Sequence, residues 1–185
     1  MPQVRAIYHR TKQTNIYPLT EDRFLIEALL RDEVHDVAVE VEIVYPSLEI
    51  VAARSEIRNG PFTSVCDMTR VNTERLVGMK VGRGFTMAAR AAVGGADGCH
   101  RISELVVEIA QAAYQLLFVR FFQSVPKEVR ERADVPIDRW RAVNQAIPGM
   151  RNTCFSYSDE RETAIEEEAT ALRLLELDMP VRKLG

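Results

Sequence analysis

Apolar and polar positions alternate most clearly between Val37 and Ile43. There Val37, Val39, Val41 and Ile43 interleave with Ala38, Glu40 and Glu42, the period of a strand with one buried face. Arg23 to Leu30 repeats the pattern, with Phe24, Ile26, Ala28 and Leu30 on one side. Tyr45-Pro46-Ser47 is turn chemistry, and Leu48 to Ile57 reads as the returning strand, closed by Asn59-Gly60-Pro61. Such short connections predict an antiparallel meander, because parallel neighbours need a longer crossover. Before it, residues 4–10 read as a short strand or extended arm. Thr11 to Thr20, polar and holding Pro18, reads as a loop.

The period changes after the turn Gly94-Gly95-Ala96-Asp97-Gly98. Ile102, Leu105, Val106, Ile109, Ala113, Leu116 and Leu117 recur at helical spacing, with Glu104, Glu108, Gln111 and Gln115 as the polar stripe. So narrow a polar edge predicts a central helix packed on most sides, with Leu105, Ile109, Ala113 and Leu116 buried. Residues 63–77 carry a modest helical pattern through Val65, Met68, Val71 and Leu76. Gly78, Gly82 and Gly84 punctuate the next segment without the spacing of a dinucleotide-binding turn. Beyond Phe122, short helical pieces are expected around 127–133 and 137–146. A last helix, about 158–178, would be capped by Ser158 and striped by Ile165, Ala169, Leu172, Leu175 and Met179. The expected fold is a single α+β domain over 1–185. In it a curved antiparallel β-meander packs around the long central helix, with smaller C-terminal helices and the 158–178 helix appended.

Composition narrows the partners. The net charge is −3 and no basic face stands out, which argues against nucleic acid. The 102–122 helix alone approaches the roughly 18 apolar residues of a membrane span. Its glutamates, glutamines and Arg120 mark it as core, so no membrane is expected. The first residues, Met1-Pro2-Gln3-Val4-Arg5, lack the apolar region of a secretory signal. With three cysteines, an odd number, reduced thiols in the cytoplasm are expected. A homodimer is carried as the assembly.

Several short stretches resemble the bacterial family catalogued as domain of unknown function 2889. That family shows Gly-Gly-x-x-Gly-Cys-Thr-His-Leu-x-Glu-Leu before a long helix, and here the stretch is Gly94-Gly95-Ala96-Asp97-Gly98-Cys99-His100-Arg101-Ile102-Ser103-Glu104-Leu105. His35-Asp36-Val37 resembles its His-Asp-Met. Pro61 to Cys66 resembles its Pro-x-x-x-Cys with one more residue between. Gly84-Phe85, Asn152-Thr153-Cys154 and, in part, His9-Arg10 match as well. The pieces span most of residues 8–157, and the 158–178 helix has no counterpart. The family's Thr-His is His100-Arg101 here, a rotation of about 100° at a helix start. The family histidine's role therefore does not carry over to His100. Members are often found among genes for degrading aromatic compounds, so the resemblance implies a small aromatic substrate.

Three chemistries remain in view. Metal ligation by His35, Cys66, Cys99 and His100 would need each ligand from a separate element, since no CxxC, HxxxH or HExxH spacing exists. Neither a metal nor another cofactor is therefore expected. Cys99 stands where a helix N-terminus favours a thiolate, against the plainer reading that it packs under the turn. Acid–base chemistry would use His35, since a histidine exchanges protons near neutral pH. By alternation His35 shares the inward face of Val37 and Val39, whereas Asp36 points the other way. A core histidine satisfied by its surroundings is the competing reading.

The expectation is a cofactor-independent lyase acting on a lignin-type phenolic, cleaving a C–C bond with loss of formaldehyde. His35 would be the base, and Arg83 or Arg101 would steady the developing anion. Tyr8, Cys99, His100, Glu104 and Tyr114 would bind substrate, with Arg70 and Lys80 as further cations for a phenolate. The pocket is expected where His35 meets the Gly94–Glu104 turn. The competing function is a non-catalytic binding protein for aromatic or acyl groups, or a subunit of a larger complex.

Overall fold

Four strands form one open antiparallel sheet in sequence order: β1 Arg10–Pro18, β2 Arg23–Asp32, β3 Asp36–Val44 and β4 Glu49–Asn59. The structure is a computed structural model and describes residues 6–124, 141, 151–152, 154–161 and 163–167. α1 (Thr63–Asp67) runs into a 3-10 helix (Met68–Leu76), followed by α2 (Phe85–Val93) and α3 (His100–Ser124). The α+β class and the meander therefore stand, with strand ends moved by one or two residues.

The inner face of the sheet follows the alternation. Ile26, Ala28, Leu30, Val37, Val39, Val41 and Ile43 are fully buried, and they share one core with Ile102, Leu105, Val106, Ile109, Ala113 and Leu116 of α3. α3 is long and apolar enough to cross a membrane by length and composition. Its burial within this core accounts for that composition instead.

Thr11–Thr20 is where the sequence reading fails. Most of it is strand β1, paired with β2 from Arg10↔Asp32 to Pro18↔Phe24. An edge strand with one open face needs few apolar residues. Its ladder is a non-local partnership that hydropathy does not report, and Pro18 is tolerated at an edge strand's end. Lys12 sits opposite Leu30 on the core-facing side, and its ammonium reaches Glu104 and Glu108 of α3 at 2.5 and 3.0 Å. An inward charge of this kind blunts an edge and here ties it to the helix.

Two other expectations shift. Of Val65, Met68, Val71 and Leu76, only Leu76 is buried; the first three are exposed. Between the glycines, α2 was not anticipated: Gly84 enters it with φ +83°, and Phe85, Ala89 and Val93 bury its inner face.

The chain divides into two compact units, Met1–Leu117 and Phe118–Gly185. In the second, 3-10 turns cover Phe155–Tyr157 and Asp159–Arg161. Arg151 and Asn152 both donate to the Asp159 carboxylate, at 2.6 and 3.1 Å. The Ser158 hydroxyl, expected as a helix cap, donates to the Phe155 carbonyl at 3.1 Å. Helical backbone is present over 163–167. The pieces expected at 127–133 and 137–146, apart from helical Arg141, and the rest of the 158–178 helix lie outside the described residues.

Candidate functional site

The β2–β3 hairpin turns over Asp32, Glu33, Val34 and His35. Oδ1 of Asp32 accepts the backbone N–H groups of Val34 and His35 at 2.9 and 2.7 Å, an aspartate-centred turn of the kind this residue favours. The same oxygen lies 3.0 Å from Nδ1 of the His35 ring. Oδ2 faces β1 and receives Arg10 Nε at 3.0 Å, Arg10 Nη2 at 2.7 Å and the Tyr8 hydroxyl at 2.9 Å. The carboxylate's side chain is only 1% exposed.

Burial by itself would raise the pKa of Asp32. The Val34 N–H, the Arg10 guanidinium and the His35 N–H and ring outweigh it and hold the carboxyl far below the usual range. Asp32 is thus an anion and can only accept, so Nδ1 of His35 carries the proton of their shared bond. The Tyr8 phenol, partly desolvated and donating to that anion, is pushed up.

A second charged group stands near the N-terminal end of α3. Glu104 accepts Lys12 on Oε1 and Arg101 Nη1 on Oε2 at 3.0 Å, and Arg10 Nη1 lies 3.9 Å from Oε1. Partial burial would raise its pKa, but Lys12 and Arg101 lower it on balance.

A pocket of about 380 Å³ brings the two ends together. His35 lines it together with Gly98, Cys99, His100 and Arg101 at the start of α3. Val37 and Ile57 of the sheet, and Pro61, Phe62, Val65 and Cys66 around α1, supply apolar surface. The glycine turn makes this approach feasible. A Cβ on Gly98 would collide with the carbonyl oxygens of Val93 and Gly94, so only glycine fits there. The Cys99 N–H then donates to Val93 O at 2.9 Å, and its carbonyl receives the Ser103 N–H at 3.0 Å, starting α3. Buried Asn72 pins the turn by donating to Asp97 O at 2.8 Å.

His35, Cys99, His100 and Arg101 therefore meet in one pocket, while Tyr8 and Glu104 belong to the charged groups behind it. Arg83 and Tyr114 do not join them: neither lines the pocket, and both are exposed. Tyr114 stands several turns along α3 from the pocket end, and Arg83 lies in the turn before α2. Arg70 pairs with Asp67 and Lys80 with Glu49, away from the pocket lining. Asp36, the sequence neighbour of His35, pairs with Arg31 at 3.1 Å and does not orient the imidazole. The sequence reading missed Asp32 and Arg10. The available signal was Asp32 at the hairpin between two legible strands, three residues before His35. Among the described residues, no group of three or more His, Cys, Asp or Glu side chains could hold a metal ion.

Fold and site together define an α+β protein with a part-apolar pocket between a hairpin histidine and a helix start. Residues 8–115 match the family described as Protein of unknown function (DUF2889), and the chain belongs to that family. The match takes in the hairpin, the glycine turn and most of α3 but stops before Asn152-Thr153-Cys154. Comparison with curated proteins and with solved structures found no match.

Proposed function

We propose that this protein is a cofactor-independent lyase for a small phenolic compound of the lignin type, releasing formaldehyde from a hydroxymethyl side chain. The supporting observation is the His35 ring, held through Nδ1 by a buried carboxylate, lining the same pocket as Arg101. With the proton on Nδ1, the Nε2 lone pair is the basic atom.

The reaction starts with His35 taking the proton of a CH2–OH group. The oxygen's electron pair forms the C=O of formaldehyde, and the C–C bond breaks. Its electrons flow into a conjugated carbonyl or quinone-methide system, leaving a phenolate or enolate. Arg101 steadies that charge, and the imidazolium returns the proton to it. Product and formaldehyde together contain every atom of the substrate, and no oxidant is consumed. Phe62, Val65, Val37 and Ile57 offer apolar surface for an aromatic ring. The aromatic substrate itself comes from the family resemblance. Three free cysteines suit the reducing cytoplasm in which such catabolism would run.

The test is a mass-spectrometric screen of pooled phenolic monomers and dimers with the purified protein. Depletion of a hydroxymethyl-bearing compound with formaldehyde released is expected, and His35→Gln should abolish it while keeping the native circular dichroism. Unchanged pools with a phenolic retained on the protein would replace the lyase with a binding protein.

A further inference from the structure

We propose that Arg10, on the edge strand, is a positioning residue that sets both pocket groups: it holds Asp32 behind His35 and reaches Glu104 behind Arg101. The inference deepens the lyase reading, and rests on it only for the assignment of His35 as base.

The geometry divides the Asp32 carboxylate into two halves. Oδ1 serves the hairpin turn and the imidazole, leaving Oδ2 as the oxygen that Arg10 holds through Nε and Nη2 at 3.0 and 2.7 Å. A carboxylate this buried needs a cation to stay ionised and in place, and Arg10 is the cation within bonding distance. Strand register places it there, because Arg10 and Asp32 are direct cross-strand partners. Its Cζ lies 5.4 Å from the centre of the Tyr8 ring, which flanks the guanidinium while the phenol bonds the same oxygen. The remaining nitrogen, Nη1, is 3.9 Å from Oε1 of Glu104, an oxygen held more closely by Lys12 at 2.5 Å, while the other oxygen holds Arg101. One planar fork thus spans the supports of the base and of the anion-stabilising arginine. A lysine could not do this, because an ammonium is a point charge without two fixed directions.

An ion pair that only stabilised the hairpin would leave the imidazole tautomer unchanged, and the tautomer can be read without any turnover. Nitrogen-15 NMR of the full-length protein separates ring N–H at Nδ1 from ring N–H at Nε2. Native protein should show His35 mainly protonated at Nδ1, against the preference of an unconstrained imidazole. Arg10→Met should lose that dominance. A population unchanged from native in Arg10→Met would overturn the proposal. Should Arg10→Met not fold, Arg10→Gln keeps a donor but neither the charge nor the reach to Glu104. In that variant too, lost Nδ1 dominance supports the positioning role and an unchanged population overturns it. Once a substrate is found, Arg10→Met should lower kcat more than tenfold with KM changed less than threefold. Loss of the tautomer in Arg10→Met, together with no formaldehyde release from any phenolic by the native protein, would support the positioning role while ending the lyase reading.

Discussion

Asp32 accepts from two backbone N–H groups, an imidazole, a guanidinium and a phenol, so its ionisation is tied to folding. Because its native pKa lies below the unfolded value of about 3.9, the contribution is fully present above that pH. It is lost as pH falls toward the native value. Asp32→Asn should therefore destabilise by about 1–2 kcal/mol at neutral pH, a range kept low because Arg10 is only part-buried and its charge stays partly screened by solvent. The gap to native should narrow as denaturation is repeated below about pH 4. A gap that stayed constant into acid would show that the carboxylate's charge is not what the fold uses. At this scale the sequence was half legible. Alternation put His35 inward and Asp36 outward, as found. Asp32 escaped because a turn aspartate looks alike whether or not an arginine stands across the strand.

Among the elements, α3 carries the core. Ile109 is fully buried, and Ile109→Ala should cost about 2–5 kcal/mol in chemical denaturation. A loss under about 1 kcal/mol would place the helix at the periphery. The glycine turn is as strict. Gly98→Ala must displace the backbone at Val93 and Gly94, so a loss of about 2–3 kcal/mol is expected. Perturbed amide NMR signals should concentrate at residues 93–101, and an alanine accommodated without either effect would show that the turn has slack. α3 was legible because a seventeen-residue periodic run from Val106 to Phe122 leaves few alternatives. β1 was not, since its polar residues gain strand structure from β2 and their function from α3. α2, nine residues long, was hidden by the glycines that precede it.

For the molecule as a whole, the described His, Cys, Asp and Glu side chains form no group of metal-binding size. Purified protein should contain well under one zinc per chain by elemental analysis and keep its melting temperature in chelator. Stoichiometric zinc, or a melting temperature lowered by chelation, would promote His35, Cys66 and Cys99 to ligands. The sequence by itself determined the α+β class, three of the four strands, the central helix and the end of the sheet where His35 stands. These follow from periodicities of two and 3.6 residues, which are local properties of the backbone. Only the tertiary structure decided which charges meet. Arg10 finds Asp32 across 22 residues of chain and Lys12 finds Glu108 across 96, through strand register and helix docking. It also decided that Arg101 lines the pocket while Arg83 stays in solvent. Burying one apolar face needs only a pattern along the chain, whereas pairing two charges needs coordinates that no single segment contains.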